Sequence, residues 1–581
     1  MSAENNISGI NVVQEKDFVF CSKEGFALES GEILPELNIR YETYGDFKSG
    51  LAPVIWICSP LTMDAHAAGL QKEDEPKTLG WWDALIGTGK PINTDVFFVV
   101  SSNILGGCKG TTGPSSIDPR TGEKYGSKFP RITITDMVNA QKKLADHLEI
   151  KKIFAVIGGS MGGFQALAWA LEYPDFVERC AVIASGTKLS AQALAFEIVG
   201  RQIILDDAKN GLANARRMAH ITYLSAESMR SRFDYAEHLP SAPEKFYTGF
   251  ALENYLNRQS EKFVKRFDAN SYLNLTWAMD NFSLEKKYGS LEKAVSLAKA
   301  EFLCVHLSSD WLFPKEESQK LAFALLNQKK IVSSVELNTN LGHDGFLLEV
   351  HDLGNLLSRF LDVRVVEKRD ENYIHSAFES KEDISRISAF IPNNASVLDI
   401  GCGNGYLLHA LWREKKVAGF GFDCSFNGIL HCLNFDVPVI QRDLDKNGLS
   451  EIADNSFDFV IFNRTLQETQ NPRDVLREIL RIGKRAILTF PNFGNWQVRK
   501  TIVFKGSMPK SKALPYEWYN TPNIHLFTLK DFTELCKKEG ILIKSLEFVN
   551  NSILSKIFTK CGFKNLGAEQ VVALIEKNQL S

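Results

Sequence analysis

The feature that most constrains this chain is a strand running into a glycine-rich turn and out into a helix, and it occurs in two places. IFAVIGGSMGGFQALAWALEY begins at Ile153, and VLDIGCGNGYLLHALW begins at Val397. In each, an apolar run of strand length precedes small residues that let the backbone turn sharply, and a helical apolar period follows. Strand-like runs flank both copies. FVFCS, ELNIRYETYG, PVIWICSP and DVFFVVSSN precede the first, while RCAVIAS (179–185), EFLCVHLSSD and SSVELNTN follow it. The second is followed by VAGFGFDCS, PVIQRDL, FDFVIFNRT and RAILTFPNF. Strands alternating with helices predict parallel sheets faced by helices, so the chain reads as α/β twice over, without an internal repeat.

At 581 residues the chain is too long for one ordinary domain. Between 187 and 300 the alternation stops and the period is helical, as expected of a lid over the edge of a sheet. A helix through LLEVHDLGNLLSRFL closes the first series. The polar stretch 366–383 reads as a linker, which places one domain at 1–365 and another at 384–581. The formal net charge of −3 argues against a nucleic-acid footprint. The ten cysteines form no C-x-x-C pair and several lie in apolar runs, suiting reduced, buried thiols. The N-terminus has no signal-like segment and no run reaches membrane-spanning length, so a cytoplasmic protein without membrane contact is expected. His66 and His343 have no ligand-like neighbours at useful spacing, and no metal site is expected.

Gly158-Gly159-Ser160-Met161-Gly162 fits G-x-S-x-G between a strand and a helix. That turn projects a serine hydroxyl at the carboxyl edge of a sheet, with the helix amides aimed at a developing oxyanion. In an α/β-hydrolase the partners follow in the order acid, then histidine, on loops after late strands. Asp310 follows EFLCVHLSS, and His343 lies in NLGHDGF after SSVELN. The expected triad is Ser160 as nucleophile, His343 as its base and Asp310 as the group that orients the imidazole. Such a triad specifies acyl chemistry and suits an esterase equally well.

GGSMGGFQA, SSNILGGCKGTTGPSS, YGSKFPRITITDMV, RFDANSYL, SDWLFP and GHDGFL together resemble the MetX-type homoserine O-acyltransferases, over nearly all of 15–360. The resemblance implies an α/β-hydrolase fold with a helical lid. It also implies acyl transfer from acyl-CoA to the hydroxyl of L-homoserine through a seryl intermediate, a step of methionine biosynthesis that needs no cofactor. By motif position it implies oxyanion amides at Leu61 and Met161, although Pro60 and Met63 stand where the family has alanine and glycine. It assigns the substrate carboxylate to Arg217 in NARRMAH, with Arg216 a competitor, and the substrate ammonium to Asp344. Succinyl-using members carry an arginine where this chain has Leu312, so acetyl-CoA is the expected donor and succinyl-CoA the alternative. Family lids often pair across a two-fold axis, implying a homodimer.

In the second series Asp399 precedes the glycine turn Gly401, Gly403 and Gly405. Asp423 ends the next strand, where a carboxylate can accept ribose hydroxyls, and Asp443 ends the one after, where it could meet an adenine amino group. This spacing resembles class I S-adenosylmethionine-dependent methyltransferases. VLDIGCGNGYLL, VIQRDLD, SFDFVI, TLQET and GSMPKSKALPYEWYNTPNIHLFTLKDFTELC resemble MetW-type methionine-biosynthesis proteins more closely, over 384–545. The resemblance implies a methyltransferase-like Rossmann domain that works with the acyltransferase, here fused in cis. Two readings stay open: a supporting or regulatory module, favoured because no residue marks an acceptor pocket, and a working methyltransferase. Tyr516, Trp518 and Tyr519 read as packing or interface.

Overall fold

The computed structural model describes residues 12–47, 52–71, 79–234, 249–362, 381–511 and 513–578. It divides into two units, Met1–Asp362 and Val363–Ser581.

The first unit has eight main strands: β1 (Lys16–Phe20), β2 (Leu37–Tyr44), β3 (Val54–Cys58), β4 (Phe98–Ser102), β5 (Ile153–Gly159), β6 (Val177–Ile183), β7 (Glu301–Leu307) and β8 (Val332–Leu337). Their order in the sheet is β1-β2-β4-β3-β5-β6-β7-β8. β2 runs antiparallel to β1 and β4, and the rest are parallel. This is the α/β-hydrolase topology. All five residues of β3 are buried. Helices covering both faces of a parallel sheet require such unbroken apolar strands. Helices α1 (Ile134–His147) and α2 (Met161–Glu172) cover the centre, α1 starting from a capping box between Thr133 and Asp136.

Between β6 and β7 the chain leaves the sheet for the lid: α3 (Ala191–Asp206), α4 (Gly211–Tyr223), α5 (Ala226–Phe233), α6 (Ala251–Val264) and α7 (Ala269–Asp280). Ser190, Ser225 and Asp268 cap the first turns of α3, α5 and α7 through their side-chain oxygens. The terminal helix read as continuous is two helices, Gly345–Leu348 and Val350–Phe360, because Glu349 at φ −84°, ψ 70° breaks the hydrogen-bond ladder between them.

The second unit continues with β9 (Ser396–Ile400), β10 (Ala418–Asp423), β11 (Val439–Gln441), β12 (Phe457–Asn463), β13 (Gly483–Pro491), β14 (Ile541–Val549) and β15 (Gln570–Lys577). The order is β11-β10-β9-β12-β13-β15-β14, parallel except for the pairs made by β15. This doubly wound sheet reverses direction between β9 and β12, and ligands of such sheets bind at the carboxyl ends beside that reversal. Most of the linker read at 366–383 lies outside the described residues. Its last three residues belong to the helix Lys381–Phe390, so the first element of this unit starts before residue 384. No helix among the described residues is long and apolar enough to cross a membrane.

Candidate active site

Ser160 sits between the end of β5 and the start of α2 at φ 57°, ψ −126°, a strained conformation for a residue with a side chain. The sharp turn explains its glycine neighbours. A Cβ on Gly158 would lie 2.0 Å from the Gly162 carbonyl oxygen, and one on Gly159 would lie 2.5 Å from the Phe346 ring. The turn is tied back to the sheet where the Ser160 amide donates to the Ile183 carbonyl at 3.0 Å. Met161 is the first residue of α2, so its amide has no partner inside the helix.

Phe346 links this elbow to His343, whose ring centroid is 5.3 Å away. The His343 Nδ1 lies 2.6 Å from the Asp310 Oδ2, and both residues are buried. The other Asp310 oxygen, Oδ1, accepts the backbone amides of Leu312 (3.0 Å) and Phe313 (2.9 Å), which fixes the carboxylate plane. Burial pushes the imidazole towards its neutral form, but the charge and hydrogen bond of Asp310, helped by Asp344, outweigh it and raise the pKa. The loops bearing Asp310 and His343 also hold the lid. The Trp311 Nε1 donates to the Leu224 carbonyl at 3.1 Å, and the Ser225 hydroxyl donates to the Asn340 carbonyl.

The arginine assignment needs correction. Arg217 is part-exposed and its Nε donates to the Asn257 Oδ1 at 2.9 Å. Arg216 is buried, its guanidinium 4.4 Å from the Phe263 ring centroid and 5.3 Å from that of Tyr223. Tyr223 in turn lies 6.1 Å from the His343 ring. Successive helix residues point about 100° apart, so the two arginines meet different surroundings. The Arg216 Nε and Nη1 have no hydrogen-bond partner among the described residues, which leaves two buried donors of a cation able to take an anion. Asp344 is close enough to feel Arg216 and Arg232, while burial raises its pKa. Tyr223 and Arg266 escaped the sequence reading. Arg266 donates to the Thr62 carbonyl at 2.8 Å, and only the folded lid brings it there.

Leu61 is buried in a turn closed by the Met63 amide on the Pro60 carbonyl at 3.2 Å. Met63 is not among the described residues with positive φ, so its place in the turn does not require a glycine. The Leu61 amide donates to no backbone carbonyl among the described residues. Leu312 is buried and offers no cation beside Asp310.

In the second unit a cleft of about 510 Å³ opens at the carboxyl ends of the strands, lined by Gly401, Gly403, Asp423, Asp443, Glu468 and Tyr516 among others. Asp423 accepts the Gly403 and Ser425 amides at 2.8 Å each; burial raises its pKa, and these bonds oppose the rise. Asp443 is held below the ordinary carboxylate range by its hydrogen bond to Lys446, 2.7 Å away. Asp399 and Gly405 do not line the cleft. Asp399 lies within β9 and is 1% exposed, and Gly405 packs against Cys432 at the start of the following helix. The aromatic cluster divides as well. Tyr516 lines the cleft, whereas Trp518 and Tyr519 are 73% and 71% exposed.

A hydrolase sheet with a strained serine at its elbow, a buried Asp–His pair and a helical lid defines an α/β-hydrolase-fold enzyme of the serine class, here joined to a methyltransferase-like unit. Comparisons agree: residues 78–347 match the alpha/beta hydrolase fold family, and 381–575 match methionine biosynthesis protein MetW. The bifunctional methionine biosynthesis protein MetXA/MetW of Rhodopirellula baltica is 39% identical over 90% of this chain and 87% of its own. A homoserine O-acetyltransferase of Methanocorpusculum labreanum is 42% identical over 72% of this chain and 87% of its own. Among solved structures, homoserine O-acetyltransferase from Bacillus anthracis is 27% identical with a TM-score of 0.57, covering 61% of this chain and 99% of that one. Esterase E22 is 30% identical with a TM-score of 0.56, covering 60% and 100%. The chain belongs to the MetXA/MetW family of bifunctional methionine-biosynthesis proteins.

Proposed function

We propose that the first unit transfers acetyl from acetyl-CoA to the hydroxyl of L-homoserine by a ping-pong route. The Ser160 hydroxyl attacks the thioester carbonyl while His343 takes its proton. The oxyanion is met by the Leu61 and Met161 amides, and the CoA sulfur leaves with the proton from His343. The homoserine hydroxyl then attacks the seryl ester, with His343 again as base and Asp310 stabilising the imidazolium. Arg216 pairs with the homoserine carboxylate and Asp344 with its ammonium. The observation that carries this reading over simple hydrolysis is Arg216, a buried guanidinium beside Tyr223, which neighbours the triad histidine, with two nitrogens that have no hydrogen-bond partner among the described residues. An esterase has no use for a buried amino-acid carboxylate site. Free-thiol release from acetyl-CoA separates the two. Transfer gives one burst without homoserine and steady turnover with it, whereas steady release without an acceptor would establish hydrolysis. Leu312 favours acetyl, and a strong preference for succinyl-CoA would overturn that part.

The second unit is best read as a nucleotide-binding module that supports or regulates acylation, with S-adenosylmethionine as its ligand. The glycine loop, Asp423 at the end of β10 and the cleft between them support this. The exposed apolar side chains Ile198, Val199 and Leu205 of α3 support a homodimer formed through the lid. Six buried and unbridged cysteines suit a reducing, cytoplasmic setting.

A further inference from the structure

The segment from Ser59 to Ala68 carries the Leu61 amide, yet it has no helix or strand of its own to hold it. Side chains from elsewhere hold it. Gln165 on α2 donates to the Ser59 carbonyl (2.9 Å), Arg266 of the lid to the Thr62 carbonyl (2.8 Å) and the Trp81 indole to the Asp64 carbonyl (2.9 Å). The Asn103 Oδ1 accepts the Ala65 amide at 2.6 Å. The far end is fastened differently, by a second buried carboxylate–imidazole pair.

Glu42 lies on β2 with no exposed surface, and His66 is 7% exposed. The His66 Nδ1 lies 2.9 Å from the Glu42 Oε2 and 3.2 Å from Oε1. The Tyr44 hydroxyl donates to the Glu42 Oε2 at 2.7 Å and accepts the amides of Ala67 (2.8 Å) and Ala68 (3.2 Å). The cluster therefore grips the loop through one side chain and two consecutive amides. Burying a carboxylate and an imidazole to fill space is expensive, and an apolar pair of similar volume would pack at lower cost. What a polar cluster adds is direction, because its hydrogen bonds define one position for the backbone they hold. Oxyanion stabilisation depends on that property: a donor displaced by a fraction of an ångström loses much of its effect on the transition state.

We propose that Glu42, His66 and Tyr44 are positioning residues for the acyl-transfer reaction, locking the Ser59–Ala68 loop so that the Leu61 amide faces the oxyanion. The inference rests on the acyl-enzyme reading above. It predicts a kinetic signature that loss of substrate binding would not produce. Formation and breakdown of the seryl ester each pass through a tetrahedral oxyanion in the same hole, so a displaced Leu61 amide slows both steps by a similar factor.

The test uses the full chain carrying Glu42→Gln or His66→Asn, with p-nitrophenyl acetate as acyl donor in stopped flow and acetyl-CoA in steady state. Both acylation and deacylation should slow by about 10- to 100-fold, with KM for acetyl-CoA within about twofold of the parent. Tyr44→Phe removes only a hydroxyl from the cluster. It should show the same paired slowing at a smaller factor, of about 3- to 10-fold, in a chain that still folds but melts a few degrees lower, because the Ala67 and Ala68 amides lose their acceptor. Unchanged rates in a folded Tyr44→Phe variant, slowing of only one half-reaction, or an effect confined to KM would each overturn the proposal. If the parent acylates but does not pass acetyl to homoserine, the acceptor assignment fails. The comparison of half-reactions then still decides this proposal, with water as the acceptor.

Discussion

At the scale of single residues, the proposed mechanism makes the His343–Asp310 pair set how activity depends on pH. The base must be neutral to take the Ser160 proton, and the carboxylate raises its pKa above the ordinary histidine value. kcat/KM should therefore rise with pH through an inflection above about 6.5. Asp310→Asn should move that inflection down and lower kcat by about four orders of magnitude, the scale known for a triad carboxylate. The same raised pKa means the stability contributed by the pair is complete below the unfolded histidine value and fades as pH rises through the folded one. Arg216 and Arg217 offer a second comparison. Arg216→Ala should raise KM for homoserine by about 10- to 100-fold, because a charge-assisted hydrogen bond to a carboxylate is lost. Arg217→Ala should stay within about twofold, since its guanidinium is occupied by Asn214 and Asn257. Steady-state kinetics on the two variants checks the assignment.

At the scale of elements, the lid is where sequence reading was weakest in detail and the structure most informative. The helical period at 187–300 was legible because amphipathic helices announce themselves locally. Which face of α4 turns inward was not, because Ala215, Arg216 and Arg217 carry no periodic signal that separates the two cations. Helix α3 bears Glu197 and Arg201, and Arg201 pairs with Asp280 of α7. The Glu197 Oε2 has no hydrogen-bond partner among the described residues, and burial with the Asp280 charge pushes its carboxyl up to about 7, Arg201 opposing. A carboxyl raised above its unfolded value of about 4.5 stabilises the fold most at low pH, and this contribution is lost as pH rises to about 7. At pH 8 the lid holds an ill-solvated charge. Glu197→Gln should raise the melting temperature there by a few degrees and leave it unchanged or slightly lower at pH 5, as thermal denaturation at the two values would show.

At the scale of the whole molecule, one chain joins an α/β-hydrolase unit to a MetW-type unit. If the cleft of the second unit takes S-adenosylmethionine through Asp423, calorimetry on the full chain should detect binding that Asp423→Ala weakens by at least about tenfold. Absence of heat at millimolar ligand would retire both the sensor and the methyltransferase readings. The fold class of both units, the serine at the strand-to-helix elbow and the glycine loop were all legible in the sequence alone. Each rests on local patterns, an apolar strand followed by small residues and a helix, that constrain the backbone wherever they occur. Only tertiary structure decided which arginine of α4 is buried beside Tyr223, that Asp399 is 1% exposed, and that Glu42, His66 and Tyr44 meet behind the Ser59–Ala68 loop. Those facts depend on helix rotation and on contacts between residues far apart in the chain, which no local pattern records.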